Sequence, residues 1–156
     1  MKRSNVLIVL MLLAASASFM KCGSDPDPEP NAQDEQLKKL SQTWKKTSVT
    51  VDGSAPDVSY DNFTLTISGN PGDNTFNFST AGRPSLSPWP ASGTFTFGTD
   101  FATVVNRDDD VVFTYSVSAT QLSLTFTYPP PSCPTCPGYA GRTTVVNGSW
   151  SMTFGL

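Results

Sequence analysis

Beyond residue 49 apolar and polar side chains alternate with a period of two. Phe63-Thr64-Leu65-Thr66-Ile67 runs without interruption, and Phe76-Asn77-Phe78 and Phe95-Thr96-Phe97 repeat the pattern. Further on, Val111, Phe113, Tyr115 and Val117 share one face, as do Leu122, Leu124, Phe126 and Tyr128. The intervening positions are mostly Thr, Ser and Asn. Strands with one apolar and one hydroxyl-bearing face belong to antiparallel sheets wrapped round a single core. Eight strands are predicted, over 44–52, 62–68, 74–80, 93–98, 101–107, 111–118, 121–128 and 143–155.

Turn chemistry supports a meander. Gly69-Asn70-Pro71-Gly72-Asp73, Asp108-Asp109-Asp110 and Ala119-Thr120 each fall between two predicted strands. Asn147-Gly148 reads either as a two-residue turn or as a glycine bulge, because Val146, Gly148, Trp150, Met152 and Phe154 keep one phase through it. Trp44 is out of phase with Val49 and Val51, which calls for a bulge or a corner near the start of the first strand. Ahead of it one short helix is expected. Asn31 caps it, Asp34 and Glu35 stand four residues before Lys38 and Lys39, and Leu37, Leu40 and Trp44 share a side. Eight consecutive antiparallel strands leave two open edges unless the last pairs with the first, so an all-β, eight-stranded up-and-down barrel is preferred to a sandwich.

The amino-terminal thirty residues follow a different pattern. Lys2 and Arg3 precede a fourteen-residue apolar run, Val6–Phe19, shorter than the ~20 residues of a membrane-spanning helix, so residues 1–21 read as a cleaved export signal. Two cleavage sites compete. Ala15-Ser16-Ala17 suits release at Ser18, whereas Phe19-Met20-Lys21-Cys22 resembles a lipobox that would leave an acylated Cys22. The chain has three cysteines, and acylation of Cys22 leaves Cys133 and Cys136 as an even pair, which favours the second site. Residues 22–32 then form an acidic, proline-spaced tether and residues 33–156 the barrel domain. The resemblance to a bacterial lipobox followed by an acidic tether implies a location in the bacterial cell envelope, as an outer-membrane lipoprotein, periplasmic or surface-exposed, held on the membrane by its acyl chains.

Charge and composition narrow the function. Without residues 1–21, seven basic side chains face thirteen acidic ones, and no basic cluster offers a nucleic-acid footprint. The chain has no histidine, and its only glutamates are Glu29 and Glu35. Triad hydrolysis, Cys–His chemistry and an ordinary zinc site all lack their imidazole, so no enzyme, metal or cofactor is expected. Cys133-Pro134-Thr135-Cys136 lies in a proline-rich stretch where no helix starts, and a local disulfide is preferred there to a redox or metal pair. Three adjacent aspartates at 108–110 diverge and read as a solvated turn rather than a calcium loop.

Three stretches carry a family likeness: Leu40-Ser41-Gln42-Thr43-Trp44-Lys45, Pro88-Trp89-Pro90-Ala91-Ser92-Gly93-Thr94-Phe95-Thr96-Phe97 and Gly148-Ser149-Trp150-Ser151-Met152-Thr153-Phe154. Over residues 37–156 the chain resembles the lipocalin-like lipoproteins of Bacteroidetes, with Gln42 in place of the glycine usual two residues before the first tryptophan. The resemblance implies a calyx able to hold a small apolar ligand. The residues expected to line it are Trp89, Phe95, Phe97, Phe113, Tyr115, Phe126 and Trp150, beneath loops 82–92 and 129–142. The rival expectation is a barrel filled by those same side chains, with Trp89 as a plug rather than a lid, acting as a structural or partner-binding module.

Overall fold

The computed structural model describes residues 31–129 and 146–156. Residues 1–30, with Cys22, and residues 130–145, with Cys133 and Cys136, lie outside that range, as does most of the loop 129–142. Helix α1 spans Ala32–Leu40, and the strands are β1 Thr43–Val51, β2 Thr64–Ser68, β3 Thr75–Ala81, β4 Ser92–Phe97, β5 Val104–Arg107, β6 Val112–Val117, β7 Gln121–Tyr128 and β8 Gly148–Gly155. Each strand pairs antiparallel with the next, and β8 returns to β1 to close the barrel. This architecture is consistent with a lipocalin-like fold.

Side-chain alternation decides which way each strand faces. Phe63, Leu65, Ile67, Phe76, Phe78, Phe95, Phe113, Tyr115, Leu122, Leu124, Phe126, Trp150, Met152 and Phe154 all turn inward and are buried. Trp44 joins them because a bulge between Lys46 and Ser48 shifts the β1–β8 register by one residue. The inward parity changes there from even to odd, so that Trp44 is buried while Val49 and Val51 also face the core. Thr47, the extra residue, donates its hydroxyl to the Thr153 carbonyl at 3.0 Å.

Two expected boundaries move. β5 starts at Val104 rather than at 101, because the Asp100 carboxylate captures the Ala102 N–H at 3.1 Å and the Thr103 hydroxyl at 2.6 Å, folding 100–103 into a turn. β8 opens at Gly148, opposite Tyr128, so Asn147-Gly148 is neither a hairpin turn nor a bulge inside a longer strand among the described residues. Gly148 has φ +142°, and a Cβ there would sit 2.6 Å from the Asp52 carboxylate. That carboxylate accepts the Ser149 N–H at 2.9 Å and fastens the β1 end to β8.

The connections divide the barrel into two poles. The lower pole holds α1 and loops 69–74, 98–103 and 118–120; the upper holds loops 52–63 and 82–91 and the turn 108–111. Asn31 caps α1 as expected, accepting the Gln33 N–H at 3.1 Å. Leu37 and Leu40 of the helix are buried against the barrel floor, and the Leu40 carbonyl takes the Trp44 indole N–H at 2.9 Å. Asp34 turns to loop 69–74, where it accepts the Gly72 N–H at 2.7 Å, and Gln36 donates to the Ala102 carbonyl at 3.1 Å.

Candidate functional site

The candidate site is built round Trp89, which reaches the core from loop 82–91 rather than from a strand. Glycine at 82 makes this possible: at φ +65° the chain passes so close to loop 52–63 that a Cβ would lie 2.0 Å from the Asn62 carbonyl. Two residues before it, Thr80 donates its hydroxyl to the Pro90 carbonyl at 2.8 Å, closing the base of the loop. At its tip the buried Ser87 oxygen accepts the Trp89 N–H at 3.1 Å and lies 3.2 Å from the Tyr60 hydroxyl, which donates to it. Burial pushes the Tyr60 phenol above its ordinary pKa, and the Ser87 contact opposes the rise.

Inside the barrel the Trp89 ring meets five others. Phe63, Phe78, Phe95, Phe113 and Phe126 have their centroids 5.2–6.3 Å from it, at tilted and edge-to-face angles. Its indole N–H points at the Met152 sulfur, 3.1 Å away. Trp89, Phe113 and Met152 have no exposed surface. These three side chains are therefore enclosed by protein on every side.

Arg107 completes the upper pole. Its guanidinium lies 5.2 Å from both the Trp89 and Phe113 ring centroids, a cation–π placement on two faces. Nε and Nη2 donate to the Asp109 carboxylate at 2.6 and 2.8 Å, and Nη2 also donates to the Pro88 carbonyl at 2.9 Å. One arginine therefore joins β5, the 108–111 turn and the plug loop. The neighbouring Asp108 carboxylate accepts the Thr94 N–H at 2.9 Å, and Asp110 takes a left-handed turn conformation at φ +66°. The three aspartates thus go to three separate tasks.

The seven residues expected to line a calyx do not gather at one place. Trp89, Phe95, Phe113 and Phe126 form one cluster, and Trp150 joins it by stacking on Phe126 at 6.3 Å. Phe97 and Tyr115 sit nearer the lower pole. Phe97 packs on Phe76 at 4.9 Å, and the Tyr115 hydroxyl donates to the Phe101 carbonyl. Burial, helped by the Asp100 charge and opposed by Gln36, pushes Tyr115 up to about 12. Sequence reasoning passed over Arg107, Ser87 and Tyr60, and read Asp109 as part of a solvated turn rather than as the partner of Arg107. The signal for Arg107 was present, since it shares the inward phase of Val105 in β5 and stands two residues before a carboxylate.

Three concavities on the surface of the described residues lie elsewhere. One of about 470 Å³ runs between α1 and loop 69–74, one of about 390 Å³ lies under loop 55–61, and one of about 520 Å³ crosses the outer face of β6, β7, β8 and β1. Phe126 and Trp150 border the last between outward-facing neighbours, while their rings are buried. None of the three is lined by Trp89, Phe95, Phe97, Phe113 or Tyr115. Comparison with protein-family models, with curated proteins and with solved structures found no match.

Proposed function

We propose that this chain is a cell-envelope lipoprotein, acylated at Cys22, whose barrel is a solid-core module working through its outer surface as a structural or partner-binding unit. The observation that carries the reading is the Trp89 indole, which has no exposed surface and is held between five aromatic rings and the Arg107 guanidinium. The export-signal pattern and Cys22 in the sequence support the envelope location.

Energetics favour this reading over a calyx. A ligand taking the middle of the barrel has first to displace Trp89, and losing a buried tryptophan from a core costs about 3–5 kcal/mol. That is the whole binding free energy of a roughly millimolar ligand. One feature favours the calyx: Arg107 Nη1 is buried with no hydrogen-bond partner among the described residues, a donor that a ligand acceptor would satisfy. Native mass spectrometry and solvent extraction of the purified full chain decide between the two. The solid-core reading expects no small apolar molecule bound in stoichiometric amount; one that co-purifies at one per chain overturns it.

A further inference from the structure

We infer that the lower pole of the barrel faces the lipid surface and that the upper pole is presented away from it. The inference rests on the reading of Cys22 as the acylated residue and adds which end of the domain meets the membrane. The first argument is where the described chain begins. Asn31 caps α1, and α1 is fixed to the lower pole by the buried Leu37 and Leu40, by the Asp34 bond to Gly72 and by the Gln36 bond to Ala102. The point at which the tether joins therefore moves rigidly with that pole.

The second argument is reach. Nine peptide steps separate Cys22 from Asn31, and a chain extends at most ~3.3–3.6 Å per residue, so Asn31 lies within about 32 Å of the acylated residue. The longest strand, β1 with nine residues, extends about 30 Å, and a tilt of 35–45° leaves about 23 Å of that along the axis, to which the loops of both poles add. With the upper pole on the bilayer, those nine residues would have to run back along the whole barrel, nearly fully extended. With the lower pole toward the bilayer, every shorter span is open to them.

The third argument is charge. Among the described residues the upper pole carries six aspartates, three of them in the 108–110 turn, against Lys46, Arg83 and the buried Arg107. The lower pole is nearly balanced, with exposed Lys38, Lys39 and Lys45 against four carboxylates. An anionic lipid surface repels the upper pole more strongly and draws in the lysines beside the tether.

The acylated full chain, reconstituted in phosphatidylcholine vesicles containing phosphatidylglycerol and a headgroup-nitroxide lipid, tests the orientation. A fluorophore on a bioorthogonal side chain is placed either at Gln42, at the lower pole, or at Arg83, at the upper; both positions are exposed. Quenching at position 42 is expected to be at least twofold stronger than at 83. Replacing Lys38, Lys39 and Lys45 with Glu should lower the ratio on anionic vesicles and leave it unchanged on neutral ones. Equal or reversed quenching on protein that floats with the vesicles overturns the orientation alone. If Cys22→Ala floats as well as the unaltered chain, the acyl anchor fails and takes the orientation with it.

Discussion

Truncating Trp89 to alanine removes the plug and leaves every strand intact, which isolates its contribution to the barrel. The indole has no exposed surface, touches five rings and takes the Arg107 guanidinium on its face. Phe or Trp to Ala in a packed core costs about 3–5 kcal/mol, and the upper end applies here because the strands around the hole are tied into a closed ladder and cannot collapse into it. With a urea m-value of about 2 kcal/mol/M, the unfolding midpoint should fall by about 2.5 M. Trp89→Phe, which keeps a ring, should lose roughly half as much and guards against a variant that does not fold. Indole added to the alanine variant should refill the space, and at a hundred times its Kd it would restore about 2.7 kcal/mol. The assay is equilibrium unfolding followed by far-ultraviolet circular dichroism. A midpoint shift under about 0.5 M for Trp89→Ala would show that the indole is not packed as a structural element, and the solid-core reading would fall with it.

Asp109→Asn should cost about 3 kcal/mol, the low end of the range for breaking a buried ion pair, because the Asp109 side chain is 30% exposed while that of Arg107 is fully covered. Combining it with Arg107→Met removes the stranded cation and should recover part of that loss; a double-mutant cycle by urea unfolding with no coupling would refute the latch. Tyr115 gives a pH signature, because its hydroxyl is pushed up to about 12 from 10.0 in the unfolded chain. Below pH 10 both states keep the proton and nothing changes. From pH 10 to 12 the unfolded chain releases it first, so stability should fall with rising pH by roughly 2–3 kcal/mol relative to Tyr115→Phe. Parallel pH dependences of the two proteins would contradict the burial argument.

What was legible in the sequence followed from period. A two-residue alternation assigns each side chain to the inside or the outside, and among the described residues that assignment held in the strands between Phe63 and Tyr128 and from Trp150 to Phe154. The phase error of Trp44 pointed to a bulge or a corner, and the structure has the bulge, with Thr47 as the inserted residue that reconciles an inward even position with inward odd ones. Position along the barrel axis was not legible, since strand tilt and stagger decide it and leave no mark in alternation. For that reason Phe97 and Tyr115 were grouped with Trp89 although they lie toward the other pole. The early turn at 100–103 was missed because Phe101 continues the apolar phase, whereas the Asp100 side chain bonds locally and overrides it. Arg107 was missed because a charged residue in a strand is ordinarily assigned to the solvent side, and its inward placement depends on a carboxylate and a carbonyl from two other segments.

Closure of the sheet also accounts for the chemistry of its outer surface. Across four neighbouring strands the outward positions line up as Thr114, Thr125, Ser151 and Thr50, and beside them as Ser116, Ser123, Thr153 and Ser48. Neither row carries a charge. In an open sheet, uncharged strands rich in β-favouring threonine would template pairing with another chain, and proteins guard such edges with lysine, proline or bulges. Pairing of β8 with β1 over Lys45 to Val51 removes the edge, so hydroxyl side chains suffice on the outside and the charges lie largely toward the two poles. The same logic assigns the Thr47 bulge a role beyond register. It sits within the closing pair, where the extra residue adds twist, and its hydroxyl bond to the Thr153 carbonyl holds the seam at the point where the ladder is interrupted.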